Sequence, residues 1–132
     1  MCGIVGYVGQ RDSVGVLLEG LSKLEYRGYD SSGIAVLKDG KIELRRSVGK
    51  LNKLTREVEK RPLSGTIGIG HTRWATHGRP SEQNAHPHLE GGGAVVHTGI
   101  IANSQGLREE LQREGAKFKS ETDTEILSHL IY

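Results

Sequence analysis

The sequence is short of the residues that usually announce a site. Its 132 residues contain one cysteine, one tryptophan, one phenylalanine and three prolines. A single cysteine excludes an internal disulfide framework and fits a reducing compartment. Neither sign of charge dominates, 18 basic residues standing against 16 acidic for a net +2. That balance is too weak for an electrostatic nucleic-acid footprint, so Arg45-Arg46 is expected at an exposed strand edge instead. No apolar run is long enough to cross a bilayer, and the N-terminus lacks the charged and apolar regions of a secretory signal. No glycine-rich phosphate loop with its lysine is present, nor HExxH, nor paired cysteines. The expectation is one soluble, cytoplasmic domain with no cofactor, no metal, no nucleic acid and no membrane partner.

What is abundant is glycine, 19 residues, which points to tight turns and close backbone approach. Cys2 to Val8 reads as a short buried strand. Asp12 or Ser13 caps a helix whose apolar residues Val14, Leu17, Leu18, Leu21 and Leu24 recur at helical spacing. The stretch 27–33 is turn-rich and leads into a strand from Ile34 to Leu37. Lys38-Asp39-Gly40-Lys41 is a tight hairpin turn, with Ile42 to Val48 returning. Leu51, Leu54 and Val58 mark a second helix stopped by Pro62, its lysines and arginines forming a solvated face.

From Thr66 to His71 isoleucines and glycines alternate. A long polar loop follows, from Arg73 to about Gly93, and loops of that length are functional or disordered. Ala94 to His97 is a strand ending in a Thr98-Gly99 turn. Asn103 or Ser104 caps a helix ended by Gly115, and Phe118 is expected in a short strand. Thr122-Asp123-Thr124-Glu125 reads as a capping box opening a last helix, which reaches Tyr132 without a stop signal. Helices mixed with antiparallel strands indicate α+β layers.

The chemistry centres on Cys2. Removal of Met1 would give one residue both a thiol and a free α-amine, which titrates just above neutral pH, so nucleophile and base share one α-carbon. The bland alternative is a buried cysteine acting as a small hydrophobe. His71 to Gly78 packs an arginine, a tryptophan and two histidines at a strand end. Arg73 there can fork onto a carboxylate, or it can be a solvated cation. Asp123 at a helix start can hold an ammonium or serve only as a cap. Together they suit the two charged ends of an amino acid. His86, His88 and His97 offer three metal ligands, but HxH on a loop is a weak signal.

Five stretches carry a family resemblance: Cys2-Gly3-Ile4-Val5-Gly6, Leu24 to Ser31, His71 to Gly78, Asn84 to His88, and Ser120 to Glu125. They resemble the type 2 glutamine amidotransferases, and among these the glutaminase domain of the glucosamine-6-phosphate synthases. The resemblance implies an N-terminal-nucleophile hydrolase fold, a four-layer α/β/β/α sandwich, with residues 1–132 covering roughly its first half and no sugar-phosphate isomerase domain. It implies that Cys2 attacks the side-chain amide of L-glutamine, releasing ammonia through a γ-glutamyl thioester. Arg73 is then the α-carboxylate ligand, Asp123 the α-amino ligand, and Trp74, Thr76 and His77 belong to a loop closing over glutamine. Gly99 is the backbone donor of the oxyanion hole. The family carries asparagine before that glycine, whereas this chain has Thr98, so impaired turnover is expected. Fructose 6-phosphate would be met only through the isomerase domain, in a homo-oligomeric parent enzyme. A catalytically silent glutamine-binding module is the alternative.

Overall fold

The computed structural model describes residues 2–74 and 79–131; Thr76 and His77 therefore lie outside the described residues. Among these, four strands form one antiparallel sheet in the order β1-β4-β2-β3, and β5 and β6 form a second, two-stranded sheet. The strands are β1 (Gly3–Val8), β2 (Ser31–Lys38), β3 (Lys41–Val48), β4 (Ile67–Arg73), β5 (His88–Glu90) and β6 (Gly93–Val95). The helices are α1 (Ser13–Leu24), α2 (Leu51–Lys60), α3 (Ser104–Arg113) and α4 (Thr124–Ile131).

Local chemistry explains most of these elements. Asp12 caps α1, its carboxylate accepting the Val14 amide at 3.4 Å and the Gly65 amide at 3.1 Å. Asp39 and Gly40, both at positive φ (52° and 76°), make the primed turn that joins β2 to β3. The leucines of α1 and α2 then bury against the sheet: Leu17, Leu21, Ile34, Leu54 and Val36 are essentially inaccessible. In β4 it is the glycine face that takes α1. A Cβ on Gly68 would lie 2.7 Å from Leu17 and one on Gly70 3.1 Å from Leu21, so the missing side chains let helix and sheet approach. Ile67 and Ile69 point to the opposite face with Ile4, Ala35 and Leu37.

That opposite face receives the segment after β4. Arg46 donates to the Ala85 carbonyl at 3.3 Å, and the rings of His71 and His86 stack. A side chain on Gly33 would collide with the His86 carbonyl. The β5-β6 hairpin packs on α4, and α4 on α3. The layers thus run helix, sheet, sheet, helix, with the second sheet reduced to two short strands.

Several expectations need correction. Strand β2 begins at Ser31 rather than Ile34, because its first three residues pair with β3 and β4. The polar stretch after Arg73 contains β5, too short to show alternation. Phe118 lies outside any strand and packs under the Arg108 guanidinium (4.2 Å) and beside His129 (4.4 Å). Arg45 and Arg46 do lie on an edge strand, since β3 ends the sheet, but they are half-buried there, Arg45 donating to the carbonyls of Arg61 and Leu44. The capping box does not close. Glu125 accepts the Lys119 and Ser120 amides, both at 2.7 Å, rather than that of Thr122.

Candidate active site

The β1-β4 register places the nucleophile candidate. Gly3 pairs with Thr72, so Cys2, one residue earlier, sits against the C-terminal end of β4 where Arg73 and Trp74 follow. The Trp74 amide donates to Cys2 Sγ at 3.4 Å, and the same sulfur lies 3.7 Å from the Trp74 carbonyl. Arg27, in a 3-10 turn over Glu25–Arg27, donates its Nε–H to the Cys2 carbonyl at 3.3 Å and holds Cys2 in place.

Cys2 opens into a cavity of about 250 Å³, just below the usual range for drug-sized ligands and suited to something as small as an amino acid. Arg73, Trp74, Thr98, Gly99 and Asp123 share its wall with Cys2. Six of the eight residues expected from sequence therefore meet at one place, although they come from four separate parts of the chain. Arg73 and Asp123 are both buried, and Trp74 is half exposed. Tyr29 meets the Trp74 ring edge-on at 6.2 Å. Burial lowers the pKa of Arg73, partly offset by Cys2, Asp30, Asp123 and Glu121; an arginine so placed stays cationic.

The far wall is built on α4 and the turn before α3. Asp123 accepts the Ile101 amide at 2.8 Å and so ties the 98–101 turn to the start of α4. Gly99 has φ 141°, a conformation that an L side chain rarely adopts. Arg108 clamps the approach to Asp123, donating to the Ser120 carbonyl at 3.2 Å and the Thr122 carbonyl at 3.0 Å.

Behind the cavity lies a feature that sequence reading did not assemble. His71 stacks on His86 at 4.0 Å between centroids, and His86 meets His88 at 4.7 Å. Burial pushes His71 and His88 down to about 4, with Arg73 opposing protonation of both; the His97 carbonyl and Glu125 offset this only in part. Burial, with its histidine neighbours, lowers His86 still further. All three are neutral at neutral pH. Among the described residues no group of three or more His, Cys, Asp or Glu side chains is arranged to hold a metal ion, so His86, His88 and His97 are not brought together as a ligand set. The only advance signal was the His86-Pro87-His88 alternation, which reads equally as metal binding.

The arrangement is that of an N-terminal-nucleophile amidotransferase: a thiol one residue from the chain start at a sheet edge, facing a small cavity with a cation and a carboxylate in its walls. Residues 44–132 match the glutamine amidotransferase domain model, and the chain belongs to that family. It is 58% identical to a glutamine–fructose-6-phosphate aminotransferase (isomerizing) of Shewanella oneidensis, over 100% of this chain and 22% of the relative. It is 57% identical to the enzyme of the same name from Caldanaerobacter subterraneus, over 99% and 22%. The chain thus spans about a fifth of the length of these relatives. Among solved structures, the glutamine phosphoribosylpyrophosphate amidotransferase of B. subtilis superposes with a TM-score of 0.84 at 28% identity, over 99% of this chain and 29% of that one. The allosteric regulatory enzyme of purine biosynthesis gives 0.85 at the same identity and coverage.

Proposed function

We propose that residues 1–132 form part of the glutaminase domain of an enzyme making glucosamine 6-phosphate and glutamate from fructose 6-phosphate and glutamine. The convergence of Cys2, Arg73 and Asp123 on one small cavity carries this reading. With Met1 removed, the Cys2 amine accepts the thiol proton. The sulfur attacks the amide carbon of L-glutamine, and the proton passes to the departing ammonia, leaving a γ-glutamyl thioester. Water then hydrolyses the thioester to glutamate and restores the thiol.

Arg73 grips the α-carboxylate and Asp123 the α-ammonium, which fixes the amide over the sulfur. The Gly99 amide stabilises the oxyanion, assisted by the Thr98 hydroxyl in place of a longer amide donor. Trp74 stands beside the bound amino acid in the cavity wall; Thr76 and His77, assigned to glutamine binding by the family resemblance, lie outside the described residues. Transfer of ammonia to fructose 6-phosphate belongs to a sugar-phosphate isomerase domain outside these residues, in a cytoplasmic homo-oligomeric parent enzyme. No helix among the described residues is long and apolar enough to cross a membrane, which is compatible with that location.

The test begins with intact mass, which reports whether Met1 is removed. A thiol-directed glutamine analogue should then label Cys2, and Cys2→Ala should lose both labelling and ammonia release. Ammonia release at the parental rate by a folded Cys2→Ala protein would overturn the assignment.

A further inference from the structure

The histidine stack joins three pieces of the cavity wall. His71 lies two residues before Arg73 on β4, and its Nε2 lies 3.0 Å from the His97 carbonyl, immediately before Thr98-Gly99. At the other end, His88 Nε2 is 2.8 Å from Thr122 Oγ1, the residue before Asp123. The His97 ring in turn reaches Thr124 Oγ1 through Nδ1 at 3.4 Å. His86 fills the space between the two ends by ring contact alone, and the absent side chain of Gly33 lets the His86 backbone settle onto the sheet.

A carbonyl oxygen only accepts, so His71 must carry its proton on Nε2. That leaves Nδ1 as a bare acceptor, and the His71 Nδ1 atom is indeed buried with no hydrogen-bond partner. An imidazole bonded through one nitrogen, in a stack of neutral rings, makes a stiff spacer between β4 and the 97–99 turn.

We propose that His71 is a positioning residue for the oxyanion turn: its Nε2–H, donated to the His97 carbonyl, holds the Thr98-Gly99 peptide at the height where the developing oxyanion is met. This rests on the assignment of Gly99 as an oxyanion donor. His71 itself does not line the cavity, so its effect falls on the rate of the covalent step rather than on glutamine affinity. A displacement of about 1 Å in such a group costs up to roughly 10²-fold in rate.

Two variants separate hydrogen bonding from bulk. His71→Phe keeps a ring in the stack and removes the donor, whereas His71→Gln places an amide N–H near the former Nε2. With the glutamine analogue, His71→Phe should slow the maximal rate of Cys2 labelling by about 10- to 100-fold, its half-saturating concentration staying within about threefold. His71→Gln should recover most of that loss. Nitrogen NMR of the unmodified protein should show the Nε2–H tautomer at His71. The proposal is overturned by an Nδ1–H tautomer, by parental labelling in His71→Phe, or by a folded His71→Gln no faster than His71→Phe. If His71→Phe does not fold, the tautomer decides. A parent protein that neither labels at Cys2 nor releases ammonia defeats the glutaminase reading instead, and the tautomer still reports on the anchor.

Discussion

The two faces of the four-stranded sheet are built on opposite principles. Toward α1 and α2 the contacts are Leu17, Leu21, Leu54, Ile34 and Val36, an apolar cluster whose buried members carry no titratable group. At the cavity end of the other face stand His71, His86, His88, Arg73 and Asp123, all buried. Apolar burial contributes roughly 25 cal/mol per Å² without directional demands, so the first face supplies stability. Buried polar groups cost free energy unless their partners are correctly placed, so the second face supplies geometry. One sheet serves both because strand side chains alternate.

Acid should expose this contrast most strongly. His71 and His88 are depressed to about 4 in the folded chain, against about 6.5 when unfolded. Between those values the unfolded chain binds more protons, so stability rises with pH there. Their neutral burial is therefore without penalty above about pH 6.5, and stability falls progressively toward pH 4, by on the order of 3 kcal/mol per ring. Glu125 adds to this only at still lower pH. Burial would raise its carboxyl, but hydrogen bonds from Ser120 and the Lys119 amide outweigh that and hold it below the usual range. Urea denaturation across pH 4–8 checks the expectation. A midpoint unchanged over that span would contradict a neutral histidine stack.

Leu17→Ala acts on the other face alone. It should cost about 2–5 kcal/mol of unfolding free energy, while the rate of Cys2 labelling at a temperature where the protein remains folded stays near parental. A labelling defect with intact folding would mean that the faces are not separable. Thr98→Asn is the converse change, confined to the cavity. Restoring an amide donor should raise ammonia release by about 10²–10³-fold, with the melting temperature little altered because Thr98 is exposed. Steady-state ammonia assays on the two proteins decide it; equal rates would remove residue 98 from the oxyanion hole.

The helix-facing half was largely legible in the sequence. Val14, Leu17 and Leu21 recur at helical spacing, Asp12 is a capping residue and Asp39-Gly40 a turn that few other pairs make, all local signals. The site was legible through its residue types: six of the eight expected residues line the cavity. What was misread depended on distant contacts. Glu125 has the spacing of a capping box, yet it turns to the Lys119 and Ser120 amides, while the Thr122 amide donates to Ser120 Oγ instead. Strand β5 is three residues long and exists because β6 and α4 flank it.

The sequence by itself determined the period of each helix, the hairpin turn and the set of reactive and charged groups, since these depend on neighbours within a few positions. Only the tertiary structure decided that the β1-β4 register lays Cys2 beside the Trp74 amide, that Arg73 and Asp123 share a cavity, and that the ring of His71 stacks on that of His86. Those outcomes turn on distances between residues 15 to 72 positions apart in the chain, and no local preference encodes such distances; strand pairing and packing do.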